Sequence, residues 1–270
     1  MGIIAFSLGD VSLYLYGIVV VIAILVGLLL TWVNVRQRGE EFLPVVDILL
    51  YGLPMGLVCA RLGYVCSNWA LYENNIISIV EFWQGGISIY GGFLGFIITI
   101  FAYTRWYNLN FLHWLDIFAP AMVAGVMIQM VGHFVMQTTV GLPLTPNIPN
   151  DHTLAEYIEF RFRPSGFENY EYFKPIALYQ AVAQAVILLI VLLQSVLQVR
   201  QQCIRSGGVF LWGTFLLAVT RFVCGFFYLS ATPGNWMNFS QGLALAASVL
   251  VLLLLIIHHR KKRSGIILRF

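Results

Sequence analysis

Arg221 lies well inside an unbroken apolar stretch, residues 207–229, that is long enough to cross a membrane. A span needs about 20 predominantly apolar residues. A guanidinium at bilayer depth costs about 2.5–3.5 kcal/mol on insertion scales. Such a residue persists only where it lines a wet cavity or meets an anion, and the commonest anion in a membrane is a lipid phosphate. Arg61, inside a second apolar stretch, repeats the signal. Two intramembrane arginines point to a protein that handles lipid head groups.

The rest of the chain fits a membrane setting. Of its 270 residues, 60% are hydrophobic and only 10% are charged, where soluble domains carry roughly 25% charged residues. That excludes a soluble globule. Apolar runs at 11–33, 42–66, 87–104, 114–136, 175–199, 207–229 and 239–258 predict seven transmembrane helices in a single domain, 1–270. Arg36, Arg38, Arg105, Arg200, Arg205 and the run Arg260, Lys261, Lys262, Arg263 follow the odd-numbered spans. The connection 67–86 carries Glu73 and Glu81 without a Lys or Arg, and 230–238 has no charge. Basic residues concentrate on the cytoplasmic side, so the N-terminus is expected outside and the C-terminus in the cytoplasm. The basic tail then reads as a topology anchor, not as a nucleic-acid patch. The N-terminus has neither a basic n-region nor an A-x-A cleavage site, so the first span is expected to be retained. Cys59, Cys66, Cys203 and Cys224 form no C-x-x-C and lie at no zinc-ligand spacing with His. They read as small apolar fillers, with neither a disulfide framework nor a metal site.

One connection differs from the rest. Residues 137–174 are long and mixed in charge, with Tyr157, Phe160, Phe162, Phe167, Tyr170, Tyr172 and Phe173 spaced through them. A loop beyond about 15 residues is usually functional or disordered. The aromatics favour a small folded external cap on the membrane surface, inserted between spans four and five. Such a cap could gate access or dock a partner. A small-molecule transporter remains an alternative class, although no internal repeat of the kind such folds carry is visible.

Candidate chemistry clusters near span ends. In Trp83-Gln84-Gly85-Gly86-Ile87-Ser88-Ile89-Tyr90-Gly91-Gly92, two glycine pairs flank one aromatic hydroxyl. Glycines allow close approach of a head group or of a neighbouring helix; both readings stand. His133, in Gly132-His133-Phe134, suits either an interhelical hydrogen bond or a general base. Asp116 is placed to cap the fourth span. Asp47 and Arg61 lie 14 residues apart, about 21 Å along one helix, and so cannot touch. Tyr16-Gly17 adds a hydroxyl to the first span, and Gln241-Gly242 a polar kink to the seventh.

Taken in order, Tyr16-Gly17, Ala60-Arg61-Leu62-Gly63-Tyr64-Val65, the glycine-rich segment, Asp116-Ile117-Phe118-Ala119-Pro120, Gly132-His133-Phe134, Pro175 with Leu178-Tyr179, and Thr220-Arg221-Phe222 resemble the bacterial prolipoprotein diacylglyceryl transferases. The resemblance covers nearly the whole chain. It implies an inner-membrane protein that moves a diacylglyceryl group from phosphatidylglycerol to a lipobox cysteine, without a metal or organic cofactor. Tyr16, Arg61, Gly91, Gly92, Gly132, Gly141 and Arg221 match the family pattern. Other positions depart from it. The family's His stands at Tyr90. Its Gly-Arg-x-Gly-Asn-Phe-x-Asn-Gly-Glu signature falls on residues 129–138, where Met130, His133 and Thr138 stand for its Arg, Asn and Glu. Beyond Arg221 its Glu is Gly225 and its next Arg is Tyr228. Its His-Pro-Ser-Gln-Leu-Tyr-Glu reads Lys174-Pro175-Ile176-Ala177-Leu178-Tyr179-Gln180.

The transfer needs a base to form thiolate and cations to stabilise the departing phosphate. Met130 removes one clamp, and Tyr90 is a poor base at neutral pH. The resemblance therefore implies a catalytically degenerate pseudoenzyme, a lipid-binding or scaffold subunit with possible membrane-protein partners and no nucleic acid. The alternative is an active transferase in which Tyr16, Tyr90, His133 and Arg221 carry catalysis. The lipid site is expected at Arg61, Gly91, Gly92, Gly132, Gly141, Arg221 and Gln241. With Gly225 at its i+4 position, Arg221 has no carboxylate on its own helix, so a phospholipid phosphate is expected against it, the head group facing Gly91, Gly92 and His133. The opposing expectation is a guanidinium held by protein groups, with Met130 and Met136 closing the cavity.

The orientation is testable by cysteine accessibility. A single cysteine placed after Lys262 should react with a membrane-impermeant reagent only when the cytoplasmic side is exposed; labelling in intact cells would reverse the topology.

Overall fold

A bilayer offers no water to backbone amides and carbonyls, so a spanning chain must satisfy them within helices. The computed structural model describes residues 4–8, 11–73, 75–81, 86–144, 154–201, 204–229 and 239–263. Trp83, Gln84, Gly85, Cys203, the stretch 145–153 of the cap, the connection 230–238 and the tail beyond 263 lie outside the described residues. The helices are α1 (Leu15–Arg38), α2 (Leu43–Ser67), α3 (Ile89–Trp106), α4 (Phe111–Val135), α5 (Ile176–Gln201), α6 (Gly208–Gly225) and α7 (Phe239–Arg263). They correspond one to one with the seven apolar runs. Six are long and apolar enough to cross a membrane; α3, at 18 residues, is not among those six. The protein is an all-α polytopic membrane protein, and its described residues include short antiparallel ladders.

The ladders account for the boundary corrections. Residues 11–14 were expected to open the first span, yet Val11–Tyr14 forms strand β2, paired with β1 (Ile4–Leu8), and α1 starts only at Leu15. In the cap, β3 (Glu156–Tyr157) pairs with β4 (Tyr172–Phe173). α6 was expected to run to 229 but stops at Gly225, because Tyr228 bridges to Gly141. Other ends follow local chemistry. α1 closes with Arg36 and Arg38 in its last turn and Gly39 at φ +69°, cations and a left-handed glycine both suiting a helix C-terminus. α2 opens with a proline in its first turn, where the missing N–H costs nothing.

The chain forms two compact units, residues 1–31 with 118–269, and residues 32–117. In the second unit, α2 and α3 pack through small residues. A Cβ on Gly91 would overlap the carbonyl oxygen of Cys59, and one on Gly95 would lie 2.8 Å from the Met55 oxygen. The Ser88 amide donates to the Ala60 oxygen at 2.9 Å, tying the start of α3 to α2. Asp47, unable to reach Arg61, accepts instead from the Tyr103 hydroxyl at 2.8 Å.

Asp116 corrects another expectation. It does not cap α4, which begins at Phe111, and it is fully buried. Pro120, one turn on, has no N–H to give the Asp116 carbonyl. Asn34 of α1 fills the gap, its Nδ2 donating to the Asp116 oxygen at 3.3 Å and the Ile117 oxygen at 2.9 Å. Arg38 bonds the Asn34 Oδ1 at 3.0 Å and opposes the Asp116 charge.

In the first unit, Gly27 faces Ala121 and Gly132 faces Val19, so α1 runs antiparallel to α4. Ala119, Val123, Ile187, Val191 and Val209 of α4, α5 and α6 form a buried apolar cluster.

Glycines at these crossings should differ sharply in tolerance. Gly91→Ala drives a methyl into backbone and should cost about 1–3 kcal/mol. Gly17→Ala, with nothing within 4 Å of its Cβ position, should be neutral or slightly stabilising. Unfolding of the detergent-solubilised variants measures both; equal stability would contradict the packing.

Candidate functional site

The expected site residues divide between the units: Arg61, Tyr90, Gly91 and Gly92 in one, Tyr16, Gly132, His133, Gly141, Arg221 and Gln241 in the other.

Arg61 is only 6% exposed. Its Nε donates to the Ile79 oxygen at 2.9 Å, Nη1 to Gly86 at 3.1 Å, and Nη2 to Ser78 at 2.7 Å and Glu81 at 3.2 Å. Its guanidinium also lies 5.3 Å from the Tyr72 ring centroid, a cation–π distance. Four backbone carbonyls thus take the donors that were expected to meet phosphate, and the connection from α2 to α3 is wrapped around them. Gly91 is likewise spent on α2, whereas Gly92 has only ordinary contacts. Tyr90, two residues into α3, is partly exposed.

Arg221 is held differently. Its Nη1 donates to the Tyr228 hydroxyl at 2.8 Å and lies 3.4 Å from Gln180 Oε1. The Tyr228 hydroxyl donates in turn to the same Gln180 oxygen at 2.8 Å. The guanidinium also stacks 4.9 Å from the Tyr228 ring centroid. Both bonds leave from Nη1, so Nε and Nη2 carry none among the described residues. One edge of the cation is satisfied by neutral protein groups and another is available.

Nearby residues are fitted to this centre. A Cβ at Gly225 would overlap the side chain of Gln241, which α7 lays across that position. Gln241 is therefore buried packing over α6. At Gly141, an added Cβ would overlap the Lys174 oxygen, and the residue bridges to Tyr228. Leu142 donates to Phe227 and Leu229 to Val140, at 3.1 and 3.3 Å. That ladder sets the height of Tyr228 and hence of its hydroxyl beside Arg221. His133 shares a 2.6 Å hydrogen bond with Thr138 through Nδ1, lies 3.4 Å from Gln129 through Nε2, and is within electrostatic range of Arg221. Met130 and Met136 are buried, Gly132 packs on Val19, and Tyr16 is 43% exposed.

The cap is secured by residues the sequence did not single out. Gln137 has φ +51°, a left-handed conformation that a glycine adopts more readily. In return its side chain donates to the Tyr157 oxygen at 2.8 Å and accepts from the Glu159 amide at 3.2 Å. Arg163 donates to the Ile158 and Glu168 oxygens at 3.0 and 2.9 Å and lies near the rings of Tyr157 and Phe160. Glu156 faces inward, its Oε2 buried with no hydrogen-bond partner among the described residues. Burial pushes its carboxyl up to about 7. Only Gln180 had a visible signal: with Gln184 it makes a polar i, i+4 pair on one face of an apolar helix.

These features define a multi-pass helical membrane protein with an intramembrane arginine centre linked, through Tyr228 and its bridge to Gly141, to the connection between α4 and α5. The family model for prolipoprotein diacylglyceryl transferase matches residues 3–257, and the chain belongs to that family. It is similar to the phosphatidylglycerol–prolipoprotein diacylglyceryl transferase of Listeria monocytogenes, with 27% identity over 247 residues, covering 92% of this chain and 86% of the relative. The enzymes of that name from Lysinibacillus sphaericus and Bacillus velezensis are 30% and 29% identical, each covering 81% of this chain and 78% of the relative. These relatives, together with the apolar helices, make it a multi-pass bacterial inner-membrane protein.

The buried carboxyl gives the cap a pH dependence. Because the native state holds the Glu156 proton more tightly than the unfolded chain, its contribution is complete below the ordinary carboxylate range. That contribution falls as pH rises and is lost above about 7. Amide exchange across 156–173, corrected for intrinsic rates, should therefore be slower at pH 5 than at pH 8. Glu156→Gln should remove most of that difference; an unchanged difference would contradict the assignment.

Proposed function

We propose that this chain is a non-catalytic member of the family, a lipid-binding or scaffold subunit of a bacterial inner-membrane assembly, with phospholipid held at Arg221. The observation that carries this reading is the neutral network around Arg221. Three positions where the family pattern has charge hold Gln180, Gly225 and Tyr228. Gln180 and Tyr228 bond each other and Arg221, while the space of a side chain at 225 is filled by Gln241. These replacements fit one another as neutral packing. The loss of a single oxyanion-type donor is worth about 10²–10³ in rate, and Met130 adds the loss of a second cation.

Arg221 retains a phosphate-binding edge. Bidentate guanidinium–phosphate pairing is stronger than a neutral hydrogen bond, and the relatives' names give phosphatidylglycerol as their substrate. An anionic phospholipid of that kind is the ligand this reading assigns. Gly132, Tyr16 and His133 are the other positions of the same unit offered to it, while Gly141 and Gln241 support it as structure. With the N-terminus outside, the cap faces the exterior. Membrane-protein partners belong to the same reading.

The second reading, an active transferase, draws support from His133, a base candidate within electrostatic range of Arg221. Complementation of a strain depleted of its own transferase separates the two. The non-catalytic reading expects no rescue; rescue that disappears in Arg221→Ala would replace it with the second. Lipid binding is measured independently by native mass spectrometry. Hydrogen bonds to charged groups contribute about 1.5–3 kcal/mol, so Arg221→Gln should weaken retention of phosphatidylglycerol roughly tenfold to a hundredfold. Unchanged retention would remove Arg221 from the site.

A further inference from the structure

The β3–β4 ladder of the cap has two unlike faces. In its antiparallel register Tyr157 stands opposite Tyr172, and Glu156 opposite Phe173. Side chains alternate between faces along a strand, so the ladder divides into an inward pair and an outward pair. Phe173 is fully buried, while Tyr157 and Tyr172 are 50% and 51% exposed with their rings in contact. Phe160, at 71% exposure, joins them around Arg163, and Leu154, at 63%, precedes the ladder. A connection this small thus leaves three aromatic rings and a leucine uncovered.

The neighbouring helix shows what covers them. Val182, Val186, Leu189 and Leu193 of α5 are exposed at i, i+4, i+7 and i+11, a single face of a helix. On a spanning helix that face meets lipid. Tyr179, three residues earlier and also exposed, heads the same stripe. Its hydroxyl donates to the Leu154 oxygen at 3.4 Å. The outward face of the cap therefore continues the lipid-facing stripe of α5. Chain connectivity places it at bilayer level, since Gln137 follows the end of α4 and β4 closes two residues before the prolonged helix α5.

We infer that the Leu154–Tyr157–Phe160–Tyr172 face is immersed in the head-group layer of the bilayer, anchoring the cap to the membrane beside α5. Tyrosine suits that depth, with an apolar ring and a hydroxyl that reaches water, and aromatic residues gather at membrane interfaces for this reason. The charges of the ladder agree. Arg161 is neutralised by Glu159 at 2.6 Å, so this edge needs no anionic lipid and the face enters the layer by its rings. Docking by apolar surface leaves the cap tethered whether or not a lipid occupies Arg221.

Footprinting of the unmodified full chain in phosphatidylcholine nanodiscs tests this, comparing a lipid-borne photoactivated carbene with water-borne hydroxyl radicals. Carbene adducts on Tyr157, Phe160 and Tyr172 are expected, with oxidation of those rings several-fold slower than of the same peptide released by proteolysis. Rapid oxidation without carbene adducts would place the face in water and overturn the inference. Absence of both would mean that protein covers it, and would overturn it equally. In the variant Phe160→Glu, carbene labelling of Tyr157 and Tyr172 should fall several-fold while labelling of Val182 and Val186 persists. Retained labelling of the two tyrosines would count against a shared face.

Discussion

Inside the bilayer every backbone polar group must find its partner within the protein, because hydrocarbon supplies none. Three side chains express that constraint in three ways. Asn34 donates to a carbonyl that Pro120 leaves bare, so a break in one helix is repaired from another. Arg61 gathers the carbonyls of the segment after α2 and gives that irregular backbone a fixed shape. Arg221 is met on one edge by Tyr228 and Gln180. Each arrangement turns an expensive polar atom into a structural tie, and the apolar packing is built around those ties.

The two arginines resemble each other in the sequence and differ in what they do. Both interrupt long apolar runs. What separates them is the neighbouring backbone. Beside Arg61 the chain leaves its helix and offers carbonyls within reach. Beside Arg221 the helix continues for another turn, so partners must come from side chains on α5 and from beyond the end of α6. Spacing in the chain could not distinguish these cases, because the carbonyls that hold Arg61 come from residues 17–25 positions later.

Much of the architecture was nevertheless legible. Apolar run length located all seven helices, and helix rise alone ruled out an Asp47–Arg61 pair. The N-terminal hairpin was hidden because its second strand, Val11–Tyr14, joins the following run without a break in apolarity. Asp116 was misread as a cap because the burial of a carboxylate within a helix depends on partners from α1. The Gly91 position left packing and head-group approach both open, and close contact with α2 accounts for that glycine. At the Arg221 centre the sequence displayed Gln180, Gly225 and Tyr228 one by one. It could not display that Tyr228 and Gln180 meet, nor that Gln241 lies over Gly225, since the first contact joins the segment after α6 to α5 and the second joins α6 to α7. The cap was visible only as a cluster of aromatics; the grip of Gln137 on it depends on a backbone conformation that its side chain does not advertise.

The overlap between Gly225 and Gln241 has a consequence for how this sequence can change. A side chain introduced at 225 must displace the side chain of Gln241, and shortening Gln241 would open a gap against α6. The two positions are therefore coupled through direct contact, so the effect of a change at one depends on what stands at the other and the two effects need not add.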